Sequence, residues 1–333
     1  MHMHSIPRCN TPARHQARPF ALFEIEKTTM YLTRHFAAGM FLLAASSALA
    51  APLTSSQILT QFNAVVSNNF STASDVEGRL VTTNLNHGAT FYNNPRGAAS
   101  DFAAINAVNI GNFGGNVNNG GSVNYQAGNA AHFNLNGSGG KISKTPSFAM
   151  SDFTTLLNAL TAQLFGMAAN STINANDPNN FTFNVNGGTN GTAVFNLTTA
   201  ELGRAANINF SGSANTIIVN VSGASYNSNA NFNDNSNLKS HIIWNFADAT
   251  SLQFRSWNGA VLAGNATVGS GSQMQGFLYA KNFTGNGELH NYGFGGSLPV
   301  AAVPEPSTYA MLGAGLGLLL LTRRRRAPAV VAA

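Results

Sequence analysis

Apolar and polar residues alternate along most of the chain between residues 51 and 303. Stretches such as TIIVNVSG (216–223) and FTFNVNGG (181–188) interleave Val, Ile and Phe with Asn and Thr. A period of two predicts short, half-buried β-strands. Segments rich in Asn and Gly separate these stretches, and because both residues accept left-handed backbone conformations, they predict frequent turns.

Similar stretches recur every 17 to 25 residues. GAVLAGN begins at Gly259 and GFLYAKN begins 17 residues later, at Gly276. Asn196, Asn220 and Asn245 occupy equivalent places at intervals of 24 and 25 residues. A repeat of this size cannot bury its own apolar face, so it needs neighbours stacked on it. The repeats therefore predict a mainly β fold, a β-solenoid (β-helix).

The first and the last coil of this predicted solenoid resemble each other. SDVEGRLVTTN (74–84) and SQMQGFLYAKN (272–282) share Ser, an apolar residue, Glu or Gln, Gly, Leu and Asn in register. Stacked coils repeat similar side chains at matching positions. We therefore predict that these two coils lie near each other, although they occupy opposite ends of the domain sequence.

One segment changes from strand periodicity to helix periodicity. Its apolar residues fall three or four positions apart, at Phe153, Leu156, Leu157, Leu160 and Leu164. Thr145 is a suitable cap and Pro146 suits a first helical turn. We predict one long amphipathic helix over about 147–168, packed alongside the solenoid, with a partner-binding helix as the alternative.

Charge and cysteine content narrow the functions open to the chain. Its net charge is +5, but nine of the 17 basic residues and three of the 12 acidic residues lie outside residues 51–303. That segment is nearly neutral and lacks the basic clusters that neutralise nucleic-acid phosphates. The single cysteine, Cys9, precedes it, so disulfides and cysteine-ligated zinc are not expected there. We predict no nucleic-acid partner, no metal and no cofactor.

The N-terminal region has the features of a secretory signal. Residues 30–50 contain a basic start, an apolar run and the small residues Ala48 and Ala50 at a cleavage site. We expect export through the inner membrane and cleavage after Ala50. Residues 1–29 resemble an over-extended start before a true initiator at Met30, and an unusually long basic region is the alternative.

Residues 303–326 combine three parts in order. They are the triplet Pro304-Glu305-Pro306, an apolar stretch at 309–321, and the cluster Arg323, Arg324, Arg325 and Arg326. As a helix the apolar stretch would be about 20 Å long, which is short of a hydrocarbon core of roughly 30 Å. We expect it to hold the inner membrane only transiently, with the arginines kept in the cytoplasm.

This arrangement closely resembles the PEP-CTERM sorting signal of Gram-negative bacteria that produce exopolysaccharide. The resemblance covers about the last 30 residues and has all three parts in the same order. It implies that an exosortase recognises the Pro-Glu-Pro triplet and removes the tail. A plain C-terminal membrane anchor is the alternative.

A second resemblance covers nearly all of residues 53–296. HIIWNFADATSLQF, GAVLAGNATV and MQGFLYAKNFTGNGELHNYGF, within 241–294, together with SDVEGRL and the predicted helix, are similar to the choice-of-anchor A domain of bacterial surface proteins. The order of coils, helix and further coils also resembles ice-binding-protein-like β-solenoids. These resemblances imply an envelope or matrix location and adhesion, and they supply no catalytic residue.

Few side chains form patterns typical of catalysis. Glu288 and His290 are the closest acid and imidazole, at a glycine-flanked turn that favours a structural hydrogen bond. Asp75 and Glu77 alternate along a predicted strand, but a glycosidase needs its two carboxyls across a cleft. Solvated charges are therefore favoured for this pair.

Aromatic side chains are the tentative glycan-binding residues, because flat rings stack on sugars. The candidates are Tyr226, Trp257, Tyr279 and Tyr292. Core or interface packing is the alternative for each of them.

The sequence thus predicts an exported, non-catalytic cell-surface or extracellular-matrix protein, associated with adhesion or with exopolysaccharide and biofilm. One alternative is an ice-binding protein, which would require a flat face of regularly spaced Thr or Ser. The other is a polysaccharide-degrading enzyme, which would require converging carboxylates.

The expected partners are an exosortase and extracellular polysaccharide. The predicted segments are 1–29 (extension), 30–50 (signal peptide), 51–302 (solenoid), 303–326 (sorting signal) and 327–333 (tail).

Overall fold

Short strands separated by turns make up most of the chain that the structure describes. The computed structural model covers residues 53–144, 148–187, 191–233 and 238–299. Its helices are α1 (Ser55–Gln61), α2 (Met150–Phe165) and α3 (Thr199–Leu202), with a 3-10 turn at Pro178–Asn180. Its strands are β1 (Ala64–Thr72), β2 (Leu80–His87), β3 (Thr90–Phe91), β4 (Ile105–Ile110), β5 (Gly115–Val117), β6 (Val123–Gly128), β7 (Phe133–Leu135), β8 (Ile142–Ser143), β9 (Thr172–Asn174), β10 (Phe181–Asn184), β11 (Thr192–Thr198), β12 (Asn207–Ser211), β13 (Thr216–Ser222), β14 (Ser225–Ser228), β15 (Asn231–Phe232), β16 (Ile242–Asn245), β17 (Ser251–Phe254), β18 (Trp257–Asn258), β19 (Ala260–Ser270), β20 (Met274–Gln275), β21 (Leu278–Gly285) and β22 (Leu289–His290).

Several sequence predictions fall outside these described residues. They are the signal segment 30–50 with Ala48 and Ala50, the helix cap at Thr145 and Pro146, and the sorting tail 303–326 with its apolar stretch 309–321. Within the part of the chain that is described, every helix is too short or too polar to cross a membrane.

Each coil contributes in turn to three ladders of strands. The helix face is the ladder β11-β13-β16-β19-β21-β1-β2-β4-β6-β8. The polar face consists of β14, β17 and the C-terminal parts of the strands from β19 through β6. The third face contains β15-β12-β10-β9, β18-β20-β22 and β3-β5-β7. All these pairings are parallel except that of β9 with β10, which confirms the predicted β-solenoid.

The long strands bend where they pass from one face to the next. The register of β19 against β21 is interrupted between Ala263 and Thr267, and that of β1 against β21 between Val66 and Phe70. The first half of β19 pairs with β16 and its second half with β17. Such register shifts bend a strand, so each long strand belongs to two faces.

The order of coils in the stack differs from their order in the chain. β1 pairs with β2 on one side and with β21, from the end of the domain, on the other. Ala64 aligns with Leu278, and Val76 forms a parallel bridge with Leu289. The chain therefore starts in the middle of the stack, at β1, and its first coils add strands in one direction as far as β8. The later coils start at the opposite end of the stack, with β11, and add strands toward β1, where β21 is the last. This confirms that the first and last coils lie near each other.

The interior is filled by the inward-pointing residues of all three faces. Phe70 and Phe283, from the first and last coils, stack with ring centroids 5.3 Å apart. Trp244 and Trp257 lie fully buried with their centroids 4.8 Å apart. Each such side chain stabilises the fold by roughly 1.5–3 kcal/mol through burial of apolar surface.

Helix α2 packs on the outside of the helix face, as predicted. It buries the residues Phe153, Leu157, Leu160 and Leu164 against outward-pointing side chains that include Val65, Ile218, Ile243 and Leu262. Sixteen residues span about 24 Å, which is the width of about five stacked strands. The helix thereby covers an apolar sheet face and joins the two halves of the stack.

The bounds of α2 differ from the predicted 147–168. The helix begins at Met150, because Ala149 is still extended, and the Asp152 carboxylate accepts a hydrogen bond of 3.0 Å from the Ala149 N–H. It ends at Phe165, before Gly166, and glycine is a poor helix former. Leu156, assigned to the apolar stripe, is only half-buried.

The repeated asparagines predicted from their spacing form one column on the helix face. Nδ2 of Asn220 donates to Oδ1 of Asn196 at 3.0 Å, and Nδ2 of Asn245 donates to Oδ1 of Asn220 at 2.9 Å. Each asparagine also donates to a carbonyl oxygen at or just beyond the C-terminal part of α2; the acceptors are Met167, Leu164 and Thr161. The column therefore binds the coils to one another and to the helix.

We predict that Asn220→Ala lowers the free energy of unfolding by about 2–3 kcal/mol, because it leaves the Leu164 carbonyl and the Asn245 amide buried without this partner. Asn196→Ala, at the exposed end of the same column, is the matched control and should cost about 1 kcal/mol or less. Urea denaturation of both variants measures this difference. Equal losses would contradict the assigned role of the column.

Candidate functional site

The polar face presents two columns of outward-pointing side chains, called here the outer columns. The first outer column consists of Ser225, Ser251, Thr267, Asn282, Asn69, Asn84, Asn109 and Ala127. The second consists of Asn227, Gln253, Gly269, Thr284, Ser71 and His87. Neighbouring strands lie roughly 4.8 Å apart, so the columns repeat polar groups at nearly constant spacing, except at Ala127 and Gly269.

A short sequence pattern positions these columns. Five strands carry a polar residue, an apolar residue and then a polar residue or Gly. Successive side chains of a strand point to opposite sides, so the first and third residues lie on the same side. The apolar member is buried in each case, which directs its two neighbours outward. The five segments are SYNS (225–228), SLQF (251–254), TVGS (267–270), NFTG (282–285) and NFST (69–72).

Hydrogen bonds along the first outer column hold its side chains in place. Nδ2 of Asn282 donates to Oγ1 of Thr267 at 3.0 Å, and Asn69 accepts a bond of 3.2 Å from Nδ2 of Asn84. Asn68, beside the column, donates to Oδ1 of Asn282 at 2.9 Å. A fixed amide loses little side-chain entropy when it binds a ligand, so the column is preorganised.

The side chains of the outer columns are amides, hydroxyls and one histidine, apart from Gly269 and Ala127. No Asp, Glu, Lys or Arg occurs among their residues. His87 closes the second column, with Nδ1 at 2.7 Å from the Thr72 carbonyl oxygen and its ring stacked on Phe113. Such a surface offers hydrogen-bond donors and acceptors without an ionic attraction, and it therefore suits a neutral, hydrated ligand.

The structure places three of the four aromatic candidates in apolar packing. Tyr226 and Trp257 lie in the interior, and Tyr279 lies beneath α2, all at most 5% exposed. The Tyr279 hydroxyl donates to Oδ1 of Asn158 at 2.8 Å. Burial raises the pKa of Tyr226 and of Tyr279 to about 12, against smaller opposing effects of their hydrogen bonds. These three rings are closed to a sugar approaching from solvent.

The fourth candidate, Tyr292, is partly exposed but has cations against its ring. Lys239 Nζ lies 3.9 Å from the ring centroid and the Arg96 guanidinium carbon 5.0 Å from it. Burial alone would raise the pKa of Tyr292, but hydrogen bonds from Arg96 and Lys239 and their positive charges lower it. The ring therefore interacts with cations, and its role in glycan binding stays a prediction.

The candidate acids make hydrogen bonds to neighbouring groups. Oε2 of Glu288 lies 2.7 Å from Nε2 of His290, which is the predicted structural hydrogen bond. The carboxylates of Asp75 and Glu77 accept bonds of 2.7 and 3.1 Å from the amides of Asn93 and Asn94. Both carboxylates of the second pair are partly exposed, and they are also held by these amides.

The His, Cys, Asp and Glu residues of the described chain form no group of three that could hold a metal ion.

Sequence reasoning missed the outer columns as a site. The polar-apolar-polar triplets were visible, but the spacing between them varies with the length of the turns. Only the pairing register shows that Ser225, Thr267 and Asn69 belong to one column.

Two family models match the chain. Residues 55–291 match the ice-binding-like adhesive domain, and residues 302–326 match the PEP-CTERM protein-sorting motif. The second match confirms the predicted sorting signal. The first is compatible with the choice-of-anchor A domain, whose name stays a prediction. No curated protein matches the chain.

Three solved structures are similar to the chain. An ice-binding protein from the Antarctic ascomycete Antarctomyces psychrotrophicus has 10% identity and a TM-score of 0.31, over 75% of this chain and 100% of that one. An ice-binding protein from an Antarctic biological consortium has 13% identity and a TM-score of 0.33, over 72% and 90%. The DUF3494 domain of Shewanella frigidimarina ice-binding protein_1 has 14% identity and a TM-score of 0.34, over 72% and 97%.

Proposed function

The chain belongs to the ice-binding-like adhesive domain family, and from this premise we propose that it is a surface adhesin whose polar face binds a neutral extracellular polysaccharide. The adhesive domain and the sorting motif at residues 302–326 together indicate an exported, non-catalytic cell-surface protein that an exosortase processes. The polymer, the polar face as its binding site and a role in matrix or biofilm are the proposed part.

The observation that supports this proposal is the uncharged, regular array of the outer columns. Amide and hydroxyl groups repeat over successive strands at roughly 4.8 Å, and several are fixed by hydrogen bonds to one another. A sugar polymer lying along the columns would present hydroxyl groups to many of them at once. Many weak, preorganised contacts along one polymer give avidity without a deep pocket.

The sorting tail accounts for how such a surface reaches its polymer. An exported protein meets extracellular polysaccharide only beyond the inner membrane. Signal cleavage after Ala50, a transient hold through 309–321 and removal of the tail beyond Pro304-Glu305-Pro306 would deliver the solenoid to the outer surface or matrix.

We expect the combined variant Ser251→Ala, Gln253→Ala and Thr284→Val to lower retention of the protein on the producing strain's exopolysaccharide by about tenfold or more, since several hydrogen bonds of about 1 kcal/mol each are lost. All three side chains are exposed, so the fold should remain stable. Co-sedimentation of protein with purified polymer measures retention.

The matched control is Ser151→Ala with Thr155→Ala, two exposed hydroxyls on α2. This control should retain the polymer as the unmodified protein does. Equal retention by the polar-face variant and the control would reject the polar face as the binding surface.

Ice binding is the second candidate, favoured by one observation. Ser225, Ser251 and Thr267 place hydroxyl groups in one column over three successive strands. The column then continues with asparagine, so the regular Thr or Ser array expected for ice binding extends over only part of the face. Measurement of thermal hysteresis decides between the two functions. Hysteresis that disappears in the polar-face variant supports ice binding, and absence of hysteresis at millimolar protein rejects it.

A further inference from the structure

A cleft of about 390 Å³ lies away from the polar face, beside the start of β2. The segment between β3 and β4 forms one wall, and the turn between β5 and β6 forms the other. Its lining includes Arg79, Tyr92, Asp101, Asn119 and Lys141. Its volume falls in the range of small-ligand sites, and none of these residues belongs to the outer columns.

Arg79 brings a positive charge into this cleft, where none of the described carboxylates forms an ion pair with it. Its Nε donates to the Phe102 carbonyl oxygen at 3.1 Å, and its Nη1 donates to the carbonyl oxygens of Ala98 and Gln61 at 3.2 and 3.4 Å. Among the described residues, no acid lies within ion-pair distance of Arg79 and no group accepts a hydrogen bond from its Nη2.

The side chain of Arg79 is also half-buried, with its guanidinium carbon 5.4 Å from the centre of the Tyr92 ring. Carbonyl oxygens orient a guanidinium group but do not neutralise it. A partly desolvated charge is stabilised when an opposite charge binds beside it. The free Nη2 therefore marks a position for an anion.

Two non-glycine residues at the cleft adopt a left-handed backbone conformation. Tyr92 and Asn119, with φ of 61° and 53°, are the non-glycine residues with positive φ in the described chain. This conformation is rare for a bulky residue such as Tyr. Nδ2 of Asn119 donates to the Tyr92 carbonyl oxygen at 2.7 Å and ties the two residues together. Strained residues persist where the surrounding structure enforces them, often at binding sites.

The other charges of the cleft favour an anion as well. Lys141 is exposed at the lining, and Asp101, also exposed, is the acid there. Two cations against one carboxylate leave a net positive charge. Asn119 and Ser122, also in the lining, offer polar groups to hydroxyls.

We propose that this cleft is a second binding site, which takes the anionic group of an acidic sugar between Arg79 and Lys141. The ring hydroxyls of that sugar face Asn119, Ser122 and Asp101. The anion is a carboxylate or a sulfate ester, which share the charge that Arg79 recognises. This site would let the protein hold an acidic polymer independently of the polar face.

Isothermal titration of the full chain in mild detergent tests the proposal with three probes: trigalacturonate, a sulfated trisaccharide and a neutral galactose trisaccharide. At least one anionic probe should bind about tenfold or more tightly than the neutral one, and added salt should weaken it. The better of the two anionic probes identifies the group. Equal binding of all three, or binding of none, would overturn the proposal.

Substitutions then locate the site. Lys141→Gln should weaken the anionic probe severalfold, and Asp101→Asn should strengthen it, because one removes an attraction and the other a repulsion. Lys281→Gln and Asp248→Asn change the same charges at exposed positions outside the cleft and should leave affinity unchanged. Arg79→Gln should abolish binding, but it also frees three carbonyls, so the two exposed variants decide the outcome.

If Lys141→Gln and Asp101→Asn behave like their controls, the assignment is wrong. The polar-face variant Ser251→Ala, Gln253→Ala, Thr284→Val should bind the anionic probe normally. Failure of the polar-face proposal and failure of this one are therefore distinguishable.

Discussion

The parallel pairing of β1 with β21 is the interaction on which the rest of the structure depends. It joins the first coil of the domain to the last, through Ala64 with Leu278 and Phe70 with Phe283. Without it the chain would form two short stacks, each with an exposed sheet edge, and exposed edges favour aggregation. With it the polar face is continuous from β14 to β6, and α2 can lie across strands from both halves of the stack.

The unusual composition of the domain follows from this architecture. Residues 51–303 contain 43 Asn and few charges, and many of these amides bond to the amide of the next coil, as in the column through Asn220. An amide carries both a donor and an acceptor, so identical side chains can bond to one another at the spacing of stacked strands. The same property leaves outward amides on the polar face with capacity for a ligand.

Much of the fold could be predicted, because strand period and repeat spacing are visible in short stretches of sequence, and the likeness of the first and last coils is visible when distant stretches are compared. The 24- and 25-residue spacing of Asn196, Asn220 and Asn245 corresponds to a real column. The glycan candidates show the limit of such patterns. Tyr226 lies between two polar residues, which directs it inward, and Tyr279 lies under a helix that only the folded chain brings there. The cleft at Arg79 depends on turn geometry at Tyr92 and Asn119, which no periodicity encodes.

Disulfide trapping across the β1–β21 joint tests the central claim most directly. Ser71 and Thr284 are paired, outward-pointing residues of these two strands, and neighbouring strands are at a distance that a disulfide spans. With Cys9 replaced by serine, Ser71→Cys with Thr284→Cys should cross-link fully under mild oxidation, seen as a mobility shift that reducing agent reverses. Ser71→Cys with Gln253→Cys, in the same column but three strands apart, should not. Failure of the first pair, or equal cross-linking of both, would contradict the joined stack.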